Sequence, residues 1–115
     1  MKYMMLIHST DEIRDSVRKL SEAEQKQLTD EYLAISALPG VLGGAQLHPA
    51  DTTTTVRVEG GRTLTTDGPF IEMKETLGGY YLYEADNLDA AIELAARIPA
   101  ARMGGAVEVR PVVER

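Results

Sequence analysis

Lys2–His8 (KYMMLIH) is a continuous apolar run of strand length, which predicts a strand covered on both faces. Thr10–Lys19 carries many charges and no periodic apolar set, so it reads as a loop. Ser21-Glu22-Ala23-Glu24 then has the form of a capping box, with Ser21 as N-cap and Glu24 three residues into the turn. Leu28, Tyr32 and Ile35 follow at i, i+4 and i+7, one face of a helix that Leu38 extends and Pro39-Gly40 stops.

Val41–Leu47 (VLGGAQL) predicts a second strand, with Gly43 and Gly44 marking a bulge or a close backbone approach. Thr52–Val58 and Arg62–Thr66 are β-branched runs on either side of Gly60-Gly61, a two-residue hairpin signal that predicts antiparallel pairing. Asp67-Gly68-Pro69 is turn chemistry, and Phe70–Thr76 reads as loop or irregular edge. Leu77–Glu84 is another strand. Asp86 or Asn87 caps a second helix whose stripe is Leu88, Ile92 and Ala95, with Pro99 beyond its end. Ala106–Val113 alternates Val107, Val109 and Val113 with Glu108 and Arg110, and Pro111 predicts an end or an edge there.

The order is β-α-β, a hairpin excursion, then β-α-β. Two such halves predict an α+β fold: a ferredoxin-like antiparallel sheet of βαββαβ type with an inserted hairpin and both helices on one face. The other face is then bare, and the nearly unbroken first strand predicts that it is apolar as well. A bare apolar sheet face exceeds what soluble monomers tolerate, so two sheets should pack face to face in a homodimer.

Length and composition narrow the remaining choices. At 115 residues, 1–115 is the size of a single domain that buries about two-thirds of its unfolded surface. Cysteine is absent, which removes disulfides, thiol catalysis and the commonest zinc ligand. Tyr3–Ile7 is too short for a signal segment or a membrane span, so the expected setting is cytoplasmic. A net charge of −6 with scattered Lys and Arg argues against nucleic acid as a partner.

Candidate chemistry is sparse. Asp67 in an Asp-Gly-Pro turn is ordinarily structural, its carboxylate accepting backbone N–H groups; at a pocket mouth it would serve as a base or an anchor. His8 shares a strand face with Met4 and Leu6 and reads as a core histidine, or as a proton shuttle if that face lines a cavity. His48, before Pro49, reads as a solvated loop residue. Glu72, Lys74 and Glu75 form a mixed charge run that is ordinarily a solvated face; the functional alternative has Lys74 binding an anionic substrate beside a glutamate. Tyr80 joins Lys74, Glu72 and Glu75 as a candidate binding residue. No metal-ligand spacing, G-x-S-x-G elbow or phosphate-cradling glycine motif is present, so neither metal nor cofactor is expected.

The block Thr66-Asp67-Gly68-Pro69-Phe70, with Glu72, Lys74-Glu75 and Leu77-Gly78-Gly79-Tyr80, resembles the DGPF-type proteins of the YCII-related family. MKYMMLIH at the start, Ile98-Pro99-Ala100-Ala101-Arg102 and Val107–Val112 resemble it too, so the match covers essentially the whole chain. The resemblance implies a dimeric α/β barrel, with the sheets of two ferredoxin-like subunits packed together. It also implies a regulatory setting, since members occur next to or fused with sigma factors of the extracytoplasmic type. Shorter relatives carry a histidine on the first helix and an aspartate before the proline after the second. Here Ser21–Leu38 has no histidine and Ile98 precedes Pro99, so that proposed catalytic pair does not carry over.

Two functions remain open at this point. One is a homodimeric binding or regulatory module with a small-molecule pocket. The other is a cofactor-free enzyme doing acid/base chemistry on a small polar metabolite with Asp67 and His8. Convergence of Asp67, His8 and Lys74 on one cavity separates them.

Overall fold

The computed structural model describes residues 1–71 and 73–115. These residues form a mixed α+β fold with antiparallel sheets and four α-helices. In chain order these are β1 (Lys2–Ser9), α1 (Asp11–Arg18), α2 (Glu22–Ser36), β2 (Val41–Gln46), a 3₁₀ turn (Ala50–Thr52), β3 (Thr54–Glu59), β4 (Arg62–Asp67), β5 (Thr76–Glu84), α3 (Leu88–Arg97), α4 (Pro99–Arg102) and β6 (Ala106–Pro111).

Capping chemistry explains where the helices begin. The Ser21 side chain accepts from the Glu24 N–H, and the Glu24 carboxylate accepts from the Ser21 N–H, so two otherwise unpaired donors of α2 are satisfied. Asn87 satisfies one such donor of α3 by accepting from the Ala90 N–H. The segment Thr10–Lys19 is a correction, because most of it is α1 rather than loop. Thr10 caps it by accepting from the Ile13 N–H, Asp11 and Glu12 sit at its positive end, and Arg18 pairs with Asp15 one turn back. Its apolar face is only Ile13 and Val17, both half-buried, four residues apart. Pro99 also differs from expectation: besides ending α3, it opens α4, where a missing N–H costs nothing.

Four strands form one sheet in the order β2-β5-β1-β6, every neighbouring pair antiparallel. Each of the two β-α-β passages therefore leaves room for another strand between its own two. On one face, Tyr3, Met5 and Ile7 of β1 and Tyr81 of β5 are buried beneath Ile35 of α2, Ala91 and Leu94 of α3, and Ile98. The phenol of Tyr81 donates to the Tyr32 carbonyl at 2.8 Å, tying the sheet to α2. Burial pushes the Tyr32 and Tyr81 phenols above their ordinary value. Glycine lets α2 and β2 close on this sheet. A Cβ at Gly44 would lie 2.5 Å from the Tyr80 carbonyl oxygen, whereas one at neighbouring Gly43 would meet nothing within 4 Å. The register slips between Val41 and Gly43, so both expectations for this glycine pair, a bulge and a close approach, are present side by side.

The opposite face carries Met4, Leu6 and His8, with Tyr80 and Leu82 paired across from Leu6 and Met4, all partly exposed. The face is not uniformly apolar as expected, because β6 pairs Glu108 with Leu6 and Arg110 with Met4 and so lends charge to one margin.

β3 and β4 pair chiefly with each other, around Gly60 and Gly61 with φ of 57° and 75°, as a two-residue hairpin turn requires. All of β4 is exposed and β3 buries almost nothing. Val56, Val58 and Leu64 stand in solvent on this arm. Its reach shows in a radius of gyration of 16.1 Å, against about 13 Å for a compact domain of this length.

Candidate functional site

An open pocket of about 450 Å³ lies at the end of the sheet where β1 finishes and β5 begins. His8 enters it from β1, Leu47 and His48 from the chain leaving β2, and Thr52 and Thr53 from the 3₁₀ turn. Pro69, Ile71, Met73 and Glu75 close the remaining side, and Thr76 and Leu77 form the first residues of β5. Among the described residues the walls are mainly apolar, with two imidazoles and one carboxylate.

A β-bulge shapes this corner. Between β1 and β5 the pairing steps from Ile7 opposite Gly79 to His8 opposite Leu77, leaving Gly78 as the extra residue. The Gly78 carbonyl accepts from the Leu47 N–H at 2.9 Å, which draws the end of β2 over the bulge and brings His48 toward His8. Such a slip re-aims side chains at a strand end, and here it occurs where His8 turns into the pocket.

His8 has a charged neighbour. Its Nε2 lies 2.5 Å from Glu108 Oε1 on β6, diagonal to it on the same sheet face. The two atoms are not aligned as a hydrogen bond, and Nε2 is sealed from solvent, so the contact is a close approach of the carboxylate to that nitrogen. The imidazole as a whole keeps 20% of its surface and lines the pocket.

The sequence candidates separate around this corner. His8 and Glu75 line the pocket together. Asp67 ends β4, is exposed and does not line it. Among the described residues no backbone N–H donates to its carboxylate, so the capping role expected of it in the turn is not seen; the turn is held instead by the Gly68 N–H donating to the Thr53 carbonyl and by the Thr55 hydroxyl donating to the Gly68 carbonyl. Lys74 is exposed and outside the pocket wall. Tyr80 is half-buried on the open sheet face, beyond the pocket. Glu72 lies outside the described residues. His48, read as a solvated loop residue, is a wall of the pocket, and Glu108 is the neighbour of His8 that strand alternation alone did not single out. The one signal for Glu108 was its parity: it alternates with the core residues Val107 and Val109, on the same face as His8.

Among the described residues no group of three or more His, Asp or Glu is arranged to hold a metal ion. Among the same residues no helix is long and apolar enough to cross a membrane.

The YCII-related domain family matches this chain over residues 1–115. The chain belongs to that family. A relative in Rhizobium meliloti (strain 1021), itself an uncharacterized protein, is 35% identical over 105 residues, which is 90% of this chain and 78% of the relative. The pocket of this YCII-related domain is built by residues of the matched region between His8 and Leu77, and Glu108 lies against His8.

Proposed function

We propose that this YCII-related domain, of DGPF type, is a homodimeric cytoplasmic binding module that takes a small molecule in the pocket beside His8. The observation that carries the reading is the pocket itself: about 450 Å³, mostly apolar, with a few convergent polar groups, within the 300–1,000 Å³ typical of small-molecule sites. The enzyme alternative through Asp67, His8 and Lys74 loses its support, since only His8 lines that pocket. Binding without chemistry also fits the regulatory, sigma-factor-linked setting that the resemblance implies.

The fold and assembly belong to the same reading. The order β2-β5-β1-β6 with helices over one face supports a ferredoxin-like subunit. Met4, Leu6, Tyr80 and Leu82 on the open face, and Val56 and Val58 on the arm, support pairing of two subunits as a dimeric α/β barrel. A standard interface buries about 800 Å² per partner, the scale such a dimer needs.

A thermal-shift screen against small metabolites tests the binding reading, because any ligand of the folded state raises the unfolding temperature by linkage. A hit whose shift disappears in Met73→Glu, with the fold retained, supports it. Hits that survive that substitution, or none across a broad screen, refute it. Sedimentation at low micromolar concentration should show one species of twice the chain mass; a folded monomer would refute the dimer.

A further inference from the structure

The geometry points to a ligand class for the pocket: a small, largely apolar molecule bearing one hydroxyl, of the phenol or enol kind, whose O–H donates to His8 Nδ1 while Glu108 holds the imidazole in the receiving form. This rests on the pocket being a ligand site.

The inference starts from the two nitrogens of one ring. A neutral imidazole carries one proton, and its other nitrogen presents a lone pair. His8 Nε2 faces the Glu108 carboxylate at 2.5 Å, where a lone pair would be repelled and an N–H attracted. The proton therefore sits on Nε2, which is closed to solvent. Among the described residues Nδ1 is not closed off in this way, and His8 lines the pocket, so Nδ1 is the nitrogen left for a ligand to meet. What the pocket offers through His8 is thus an acceptor, and a ligand must bring a donor to meet it. Leu47, Ile71, Met73 and Leu77 surround that acceptor with apolar surface, which selects an apolar body over a polyhydroxylated one. Glu75 on the same wall disfavours an anionic ligand, so a neutral hydroxyl fits better than a carboxylate. Glu108 is accordingly a positioning residue: it acts on the ligand only through the tautomer of His8.

The test uses the full chain, 4-methylphenol, and toluene as the counterpart without the hydroxyl. The sequence holds only His8 and His48, so ring resonances are assigned with His48→Gln. At mildly alkaline pH, ¹⁵N shifts of the His8 ring should show a protonated Nε2 and a bare Nδ1. Both probes should perturb the His8 ring saturably, 4-methylphenol about tenfold more tightly, the worth of one good hydrogen bond in a partly dry site. Glu108→Val should shrink that preference to about threefold or less and mix the tautomers, leaving the toluene midpoint in place. A proton on Nδ1 in the wild type, equal binding of the two probes, or a preference untouched by Glu108→Val would overturn the inference while leaving the pocket as a ligand site. Failure of both probes to saturate would overturn the pocket reading together with it. The tautomer measurement needs no substitution near Glu108, so a variant that misfolds does not protect the proposal.

Discussion

Two β-structures in this chain are made from similar material and end in opposite conditions. In β1, alternate residues Tyr3, Met5 and Ile7 lie under helices and are lost to solvent. In β3, Val56 and Val58 alternate just as regularly and stand exposed, while Arg57 between them stacks 5.2 Å from the Phe70 ring centre. Alternation and β-branching decide that a segment is a strand; a helix or a second sheet decides whether its apolar face is worth anything. An isolated two-stranded hairpin is marginal in water. The arm therefore draws its order from the close turn at Gly60-Gly61, from the bonds to Gly68, and, in the proposed dimer, from a second subunit.

The sharpest way to break this contrast is to hollow the covered half. Met5 and Ile98 are fully buried, so Met5→Ala or Ile98→Ala should cost about 2–5 kcal/mol in urea unfolding. A loss under about 1 kcal/mol would mean that the core lies elsewhere. Next comes the glycine pair of β2. Gly44→Ala drives a methyl into backbone and should cost about 1–3 kcal/mol. Gly43→Ala, with open space around it, should be neutral or stabilising by up to about 1 kcal/mol. Equal effects at the two positions would contradict the approach of β2 to β5.

A smaller effect distinguishes the covered half by pH. The Tyr32 and Tyr81 phenols are raised by burial, so the folded state holds their protons more firmly than the unfolded chain does. The stability this represents is intact below the ordinary tyrosine value of about 10 and is lost as pH rises through the folded values. Urea midpoints should be level up to that point and fall beyond it, and Tyr32→Phe should flatten the fall. The smallest effect belongs to the arm. Val58→Thr and Asp67→Ala, both exposed, should change the unfolding free energy of the subunit by less than about 0.5 kcal/mol. Val58→Asp should release subunits from the proposed dimer without altering far-UV circular dichroism. A large drop in subunit stability from Val58→Thr would mean that the arm packs onto its own chain.

What was legible in the sequence followed how local the cause is. The Ser21–Glu24 box, the Gly60-Gly61 turn, the Asn87 cap and the stop at Pro111 all lie within a few residues of what they determine. Helix α1 was missed although its cap and charges were there to read, because Ile13 and Val17 make too thin a stripe to stand out among the surrounding charged residues. The site was half legible. His8 and Glu75 were chosen by residue type, but their meeting with His48 depends on the bulge at Gly78 and the bond from Leu47, which join segments 30 or more residues apart. Asp67 drew attention for its turn chemistry, and the turn proved to be held by backbone groups and Thr55.

The strand order has a consequence for how the chain comes off the ribosome. Of these strands β1 is made first, yet both of its neighbours in the sheet, β5 and β6, follow only from Thr76 onward. At about 5–20 residues per second, roughly 4–15 s pass between the emergence of Tyr3–Ile7 and that of its first hydrogen-bonding partner. Through that interval the stickiest stretch of the polypeptide has no native strand to pair with, and α1 and α2 bring little more than Ile35 and the half-buried Tyr32 to the core. Nascent chains crowded on one message thus carry identical unpaired segments side by side. Slower initiation or a holding chaperone should raise the folded yield more than any slowing of elongation, which only lengthens the wait.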